Sequence, residues 1–139
     1  MNERSAVIAA NDAFYRAVES LDLTRMEVVW LHAASISCVH PGWRLLTGWG
    51  PVMESWQRIF ANTLAMDFTI TDARAEVVGD VAWVVCVENL ESAHRDQTAT
   101  AQLQATNIFR RHDGQWWLVH HHASPISPQL AEAEPEHMH

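Results

Sequence analysis

The chain has 139 residues, 48% of them hydrophobic and 19% charged, and a formal net charge of -8. That length fits one domain with a core of its own, and that composition excludes a disordered chain. The negative balance argues against a nucleic-acid backbone or an anionic membrane as partner, because both attract clustered positive charge.

Val7, Ala10, Phe14, Ala17, Val18 and Leu21 recur at helical spacing, so the first twenty residues predict an amphipathic helix. A short second helix follows, capped by Asp22 or by a Thr24–Glu27 capping box, with Leu23, Met26 and Trp30 as its apolar stripe. Ala34 to His40 alternates as a strand, Pro41-Gly42 turns the chain, and Leu45 to Thr47 is short and extended. Gly50-Pro51 opens a third helix, with proline in a first turn, where its missing N–H costs little. Val52, Met53, Trp56, Ile59 and Phe60 form its apolar side.

The remainder is β. Met66, Phe68 and Ile70 share one parity and Ala73, Ala75 and Val77 the other, which predicts a bulge near Thr71-Asp72. A turn at Gly79-Asp80 pairs Val77 with Ala82 and Ala75 with Val84. A long strand leads to a polar loop at His94 to Gln97, and the last two strands meet around Asp113-Gly114. Pairing Arg111 with Trp116 sets Phe109 opposite Leu118, Asn107 opposite His120, and Ala105 opposite His122. Residues 127–139 form an acidic, Pro-containing tail expected to be flexible, which leaves one domain over residues 1–126.

Strand alternation exposes the chemistry. On otherwise apolar faces, His40, Glu88, Asn107, His120 and His122 are the polar intruders. A buried polar group costs free energy unless it finds a partner, so several on one apolar face suggest a pocket with placed polar groups. His121 falls on the other face. His121→Ala should then be milder than His120→Ala or His122→Ala, and a bulge at Asp113-Gly114 would reverse that order. Three consecutive strand histidines cannot converge on one ion; His120 and His122 could chelate with His40 or Glu88 completing a site, but no metal-type spacing supports this, so no metal is expected. The chain has no lysine, which excludes Schiff-base chemistry and a lysine base. Cys38 and Cys86 sit in apolar strands and read as buried small hydrophobes, with a reduced cytoplasm as the natural compartment. No apolar run reaches membrane-spanning length, and the N-terminus carries no signal-peptide pattern.

Several stretches resemble the SnoaL-like branch of the nuclear transport factor 2-like (ketosteroid isomerase-like) superfamily. They are Cys38 to Trp43, Gly48, Ser55-Trp56, Thr106 to Arg111, and Trp116 through His120-His121-His122 to Pro125. The resemblance runs from about Asn11 to Pro125. It implies an α+β cone, three N-terminal helices packed on a strongly curved antiparallel sheet with a pocket inside, often dimeric. Members include isomerases, cyclases, dehydratases, hydrolases and non-catalytic modules, so the fold does not give the function. The isomerase uses an acidic base with a tyrosine and an acid as oxyanion donors. Tyr15 is the one tyrosine here and lies on the first helix, so that set does not transfer.

These readings converge on a small-molecule pocket protein for a hydrophobic compound with one or two polar groups. If it is catalytic, the chemistry is a cofactor-free proton transfer: isomerisation, dehydration, cyclisation or hydrolysis. His120 or His122 would be the base and Glu88 its orienter, with His40 and Asn107 as polarising donors. Trp43, Trp56, Phe60, Leu103 and Phe109 would form the walls, with Ala75, Ala82 and Ala105 leaving room. The alternative is a dimerisation or accessory module with a vestigial cavity. Trp83, Val85, Val87, Trp117 and Val119 make the opposite sheet face apolar, which points to a homodimer.

Overall fold

The computed structural model describes residues 2–128. The acidic stretch from residue 129 onward lies outside the described residues.

Helix α1 (Glu3–Ser20) is capped by Asn2, whose side chain accepts from the Ser5 N–H. Its buried face carries Val7, Asn11, Phe14, Tyr15 and Val18. Helix α2 (Leu23–Glu27) is capped by Asp22, whose carboxylate accepts from the Thr24 N–H at 3.0 Å, so Asp22 and not Thr24 starts it. Strands β1 (Ser37–Val39) and β2 (Leu46–Thr47) come next, and then helix α3 (Trp49–Ala61) with Pro51 in its first turn. Four longer strands complete the chain: β3 (Ala65–Val78), β4 (Val81–His94), β5 (Gln97–His112) and β6 (Gln115–Pro125).

All six strands form one sheet in the order β2-β1-β6-β5-β4-β3. The expected sheet was antiparallel; β1 instead runs parallel to β6, so the sheet is mixed. The helices pack on one face of it, and the core is Phe14, Tyr15, Met26, Trp30, Ile36, Val52, Val84, Phe109 and Leu118 with their neighbours. The bulge expected near Thr71-Asp72 is present, with Asp72 in the left-handed region. Val77 faces Ala82 and Ala75 faces Val84, as the turn at Gly79-Asp80 predicted.

The last hairpin departs from expectation at one point. Arg111 pairs with Trp116 and Phe109 with Leu118, but Ile108 then pairs with His120. Val119 is the extra residue of a β-bulge, and every side chain beyond it changes face. Asn107 therefore faces His121 and Ala105 faces Ala123. The Asp113-Gly114 turn, where both residues have positive φ, leaves the register alone.

Strand β3 is a sheet edge with unpaired backbone groups, and α1 supplies partners for them. Glu19 accepts from the Phe68 N–H at 2.7 Å, Arg16 donates to the Phe68 carbonyl at 3.3 Å, and Arg4 donates to the Ala75 carbonyl at 3.0 Å. Among the described residues, no helix is long and apolar enough to cross a membrane.

Candidate functional site

A line of buried polar side chains crosses the interior from β4 through α1 and β5 to β6. Glu88, on β4, is 3% exposed. The Tyr15 hydroxyl donates to its Oε2 at 2.6 Å. With that hydrogen committed, Tyr15 accepts from the Asn107 amide nitrogen at 3.1 Å. The same nitrogen donates to Asn11 Oδ1 at 2.9 Å. Asn107 Oδ1 accepts from His121 Nδ1 at 2.6 Å. The line is therefore Glu88–Tyr15–Asn107–His121, and His121 carries its hydrogen on Nδ1 and a lone pair on Nε2.

Burial sets the protonation along this line. It pushes the Glu88 carboxyl up to about 7, a rise that the Tyr15 hydrogen bond partly opposes. The Tyr15 phenol is raised far above its ordinary value, first by burial and then by the Glu88 charge, so it stays a donor. Burial holds the His121 imidazole well below its ordinary value, so it is neutral. Its ring packs between Phe14 and Trp56, at centroid distances of 4.9 and 5.9 Å.

A second group stands just past the end of β1 and on α3. Ser55 donates its hydroxyl to the Val52 carbonyl at 2.6 Å, so His40 Nε2 must donate to Ser55 Oγ at 2.8 Å. Burial lowers His40 to about 4. Trp43 and Trp56 both meet the His40 ring near edge-on, at 4.8 and 4.6 Å. Trp56 thus touches both histidines, and its Nε1–H is buried with no partner among the described residues. The two cysteines are buried and free; burial pushes Cys38 up to about 12 and raises Cys86, so neither is an activated nucleophile.

His40, Trp56, Phe60, Glu88, Asn107 and Phe109 are all buried among the helices and the sheet. Leu103, Ala75, Ala82 and Ala105 are buried beside them. Trp43 is 37% exposed and closes over His40 from the surface. His120 and His122 do not join the group. The Val119 bulge turns them outward, leaving His120 half-buried and His122 exposed, and brings in His121 at 4% exposure. Their rings lie 6.2 Å apart on the outer face, and Ser37 Oγ sits 2.7 Å from His120 Nδ1. Among the described residues Glu88 has no histidine beside it; its partner is Tyr15.

Tyr15 and Asn11 were missed by sequence reasoning although a signal existed. Positions 7, 11, 14, 15 and 18 form one helical stripe, and Asn11 is its polar intruder just as Asn107 is on β5. A recess of about 460 Å³ at the far end of the sheet, bordered by Asp67, Asn89, Glu91 and Gln102, shares no residue with the buried line.

The model of the SnoaL-like domain matches residues 7–128. The chain belongs to this family. Solved structures of nuclear transport factor 2-like and ketosteroid isomerase-like proteins share its fold. A candidate dehydratase of the NTF2-like family from Streptomyces avermitilis is 40% identical, with 90% of this chain and 96% of that chain covered and a TM-score of 0.85. A candidate calcium/calmodulin-dependent protein kinase type II association domain from Thiobacillus denitrificans is 32% identical, with 86% and 94% covered and a TM-score of 0.76. The F-box protein SKIP8 of Arabidopsis thaliana is 30% identical over 119 residues, 86% of this chain. The matched stretch spans about half of that relative, 49% of its length.

Proposed function

We propose that this SnoaL-like domain binds a small, mainly apolar molecule against the Glu88–Tyr15–Asn107–His121 line and moves a proton on it. Glu88 is the acid–base group, because a carboxyl poised near neutral pH both gives and takes a proton there. Tyr15 orients it, and Asn107 holds Tyr15 and His121 in place. His121 Nε2 and the unpartnered Trp56 Nε1–H are the free acceptor and donor for the ligand's polar group. His40, Trp43, Phe60 and Phe109 are the side chains that such a ligand would pack against. Isomerisation or dehydration fits this set, since both need a proton removed and a proton returned without a cofactor.

One observation carries the reading: Glu88 is buried with no cationic partner among the described residues, held only by Tyr15. A glutamine would satisfy the same hydrogen bond at lower desolvation cost, so retaining the charge-capable group fits a site better than a strut. The similarity to a candidate dehydratase supports it. A thermal-shift screen of small apolar carbonyl and hydroxyl compounds tests it. Saturation at about 100 times Kd stabilises the folded state by about 2.7 kcal/mol. Glu88→Gln should keep binding and abolish turnover of a hit. No stabilising compound across the screen would overturn the reading.

A second reading rests on the outer sheet face. Trp83, Val85, Val87, Ile108 and Trp117 are only partly covered there in a single chain. A second copy stacked on that face through a two-fold axis would bury them. The similarity to an association domain supports self-assembly, and a homodimer is compatible with an interior ligand site.

A further inference from the structure

His120 and His122 stand on the outer face that the second reading covers with another copy, and no role in the interior accounts for them. They occupy alternate positions of β6, so both rings project from one face, 6.2 Å apart between centroids. Two imidazoles binding one ion through Nε2 at about 2.1 Å would bring their centroids to roughly 5 Å apart. The exposed His122 ring closes that gap by turning about its own side-chain bonds. His120 is already held on one side: Ser37 Oγ lies 2.7 Å from its Nδ1, and when it takes the Nδ1 hydrogen the lone pair is on Nε2. A hydrogen-bonded far nitrogen is the usual arrangement behind a metal-binding imidazole.

The surroundings choose the ion. In the rows across the sheet, His120 is flanked by Ile108 and Trp83, and His122 by Thr106 and Val85. No carboxylate adjoins the pair in those rows; Glu76 lies beyond Trp83 on β3. Nitrogen ligands without oxygen acids suit zinc, copper or nickel and not calcium or magnesium. Among the described residues of one chain, no three metal-type side chains converge, so a single copy offers an incomplete site. A two-fold axis through this face repeats the pair and raises the set to four imidazoles, enough for a tetrahedral ion.

We propose that His120 and His122, with the same pair from a second copy, form a zinc-type site that bridges two chains across their outer sheet faces. The proposal rests on the outer-face reading above, and the test separates the two. The full chain, without a purification tag, is measured by sedimentation across a dilution series in EDTA and in zinc chloride. Zinc binding is measured in parallel by titration calorimetry. We expect one zinc per two chains and a dimer dissociation constant at least tenfold lower in zinc. His122→Asn and His120→Asn should each lose both effects. His137→Asn with His139→Asn should keep them, which removes the tail histidines as the source.

A dimer in EDTA that zinc leaves unchanged overturns the bridging site and leaves the outer-face reading intact. A monomer in EDTA that zinc converts to a dimer, reversed by His122→Asn, supports the site and overturns apolar stacking as a sufficient contact. A monomer under both conditions overturns both. Zinc bound equally by His122→Asn overturns the site whatever the mass.

Discussion

Glu88 and His40 pull the pH dependence of stability in opposite directions. The Glu88 carboxyl rises from 4.5 to about 7 on folding, so the folded chain holds its proton more tightly than the unfolded chain. Its contribution is present below pH 4.5 and is lost as pH rises through 7. The loss is on the order of 3 kcal/mol. His40 falls from 6.5 to about 4, so its contribution is present above pH 6.5 and is lost as pH falls through 4. We expect Glu88→Gln to flatten the decline on the alkaline side, gaining on wild type between pH 5 and 8. Chemical denaturation at several pH values measures it; an unchanged slope would mean the carboxyl is not desolvated as described.

The neighbouring His121 and His122 should separate just as sharply. His121 fills space between Phe14 and Trp56 and donates to Asn107. Truncating it leaves a void and an unpaired buried carbonyl, so His121→Ala should cost about 2–4 kcal/mol. His122→Ala, at an exposed position, should stay within about 0.5 kcal/mol. This reverses the order that unbroken alternation predicts, because the Val119 bulge exchanges the two faces. Urea midpoints of the two variants decide it.

At the scale of elements, α1 does two jobs with different parts of its surface. Its inner stripe carries Asn11 and Tyr15 into the polar line, and Arg4, Arg16 and Glu19 reach over the open edge of β3. The second job explains how a 14-residue edge strand avoids presenting a bare ladder to other chains. Glu19→Ala should cost about 1–2 kcal/mol by stranding the Phe68 N–H, while Glu19→Gln keeps an acceptor and should cost less. Thermal melts compare them, and hydrogen exchange at Phe68 should quicken only in the alanine variant. Equal losses would show that the charge and not the hydrogen bond matters.

At the scale of the whole molecule, the sheet has a helix-covered face and an open one. The open face is apolar at its centre, through Trp83, Val85, Val87 and Ile108, and polar toward its far end, through Asn89, Gln102 and Glu91. That gradient suits a bounded contact with a second copy better than a solvated surface. Under the proposed contact the wild type should run as a dimer by light scattering at micromolar concentration and Val85→Arg as a folded monomer. A dimer that survives Val85→Arg would place the contact elsewhere.

Most of the architecture is legible in the amino-acid sequence, because its signals are local. Helical stripes, alternating strands, the Thr71-Asp72 parity switch and the Gly79-Asp80 turn each depend on residues within one element or one turn. Alternation likewise put His40, Glu88 and Asn107 on inward faces. Two matters were left to the tertiary structure. The single-residue bulge at Val119 has no turn residue to announce it; packing of Leu118 inward and pairing of Ser37 with His120 settle it across three strands. The partners of Glu88 and Asn107 were also out of reach, since Tyr15 and Asn11 lie more than seventy residues away along the chain. Periodicity says which way a side chain points. Which group it meets there depends on how helix and sheet are stacked, and long-range packing alone sets that.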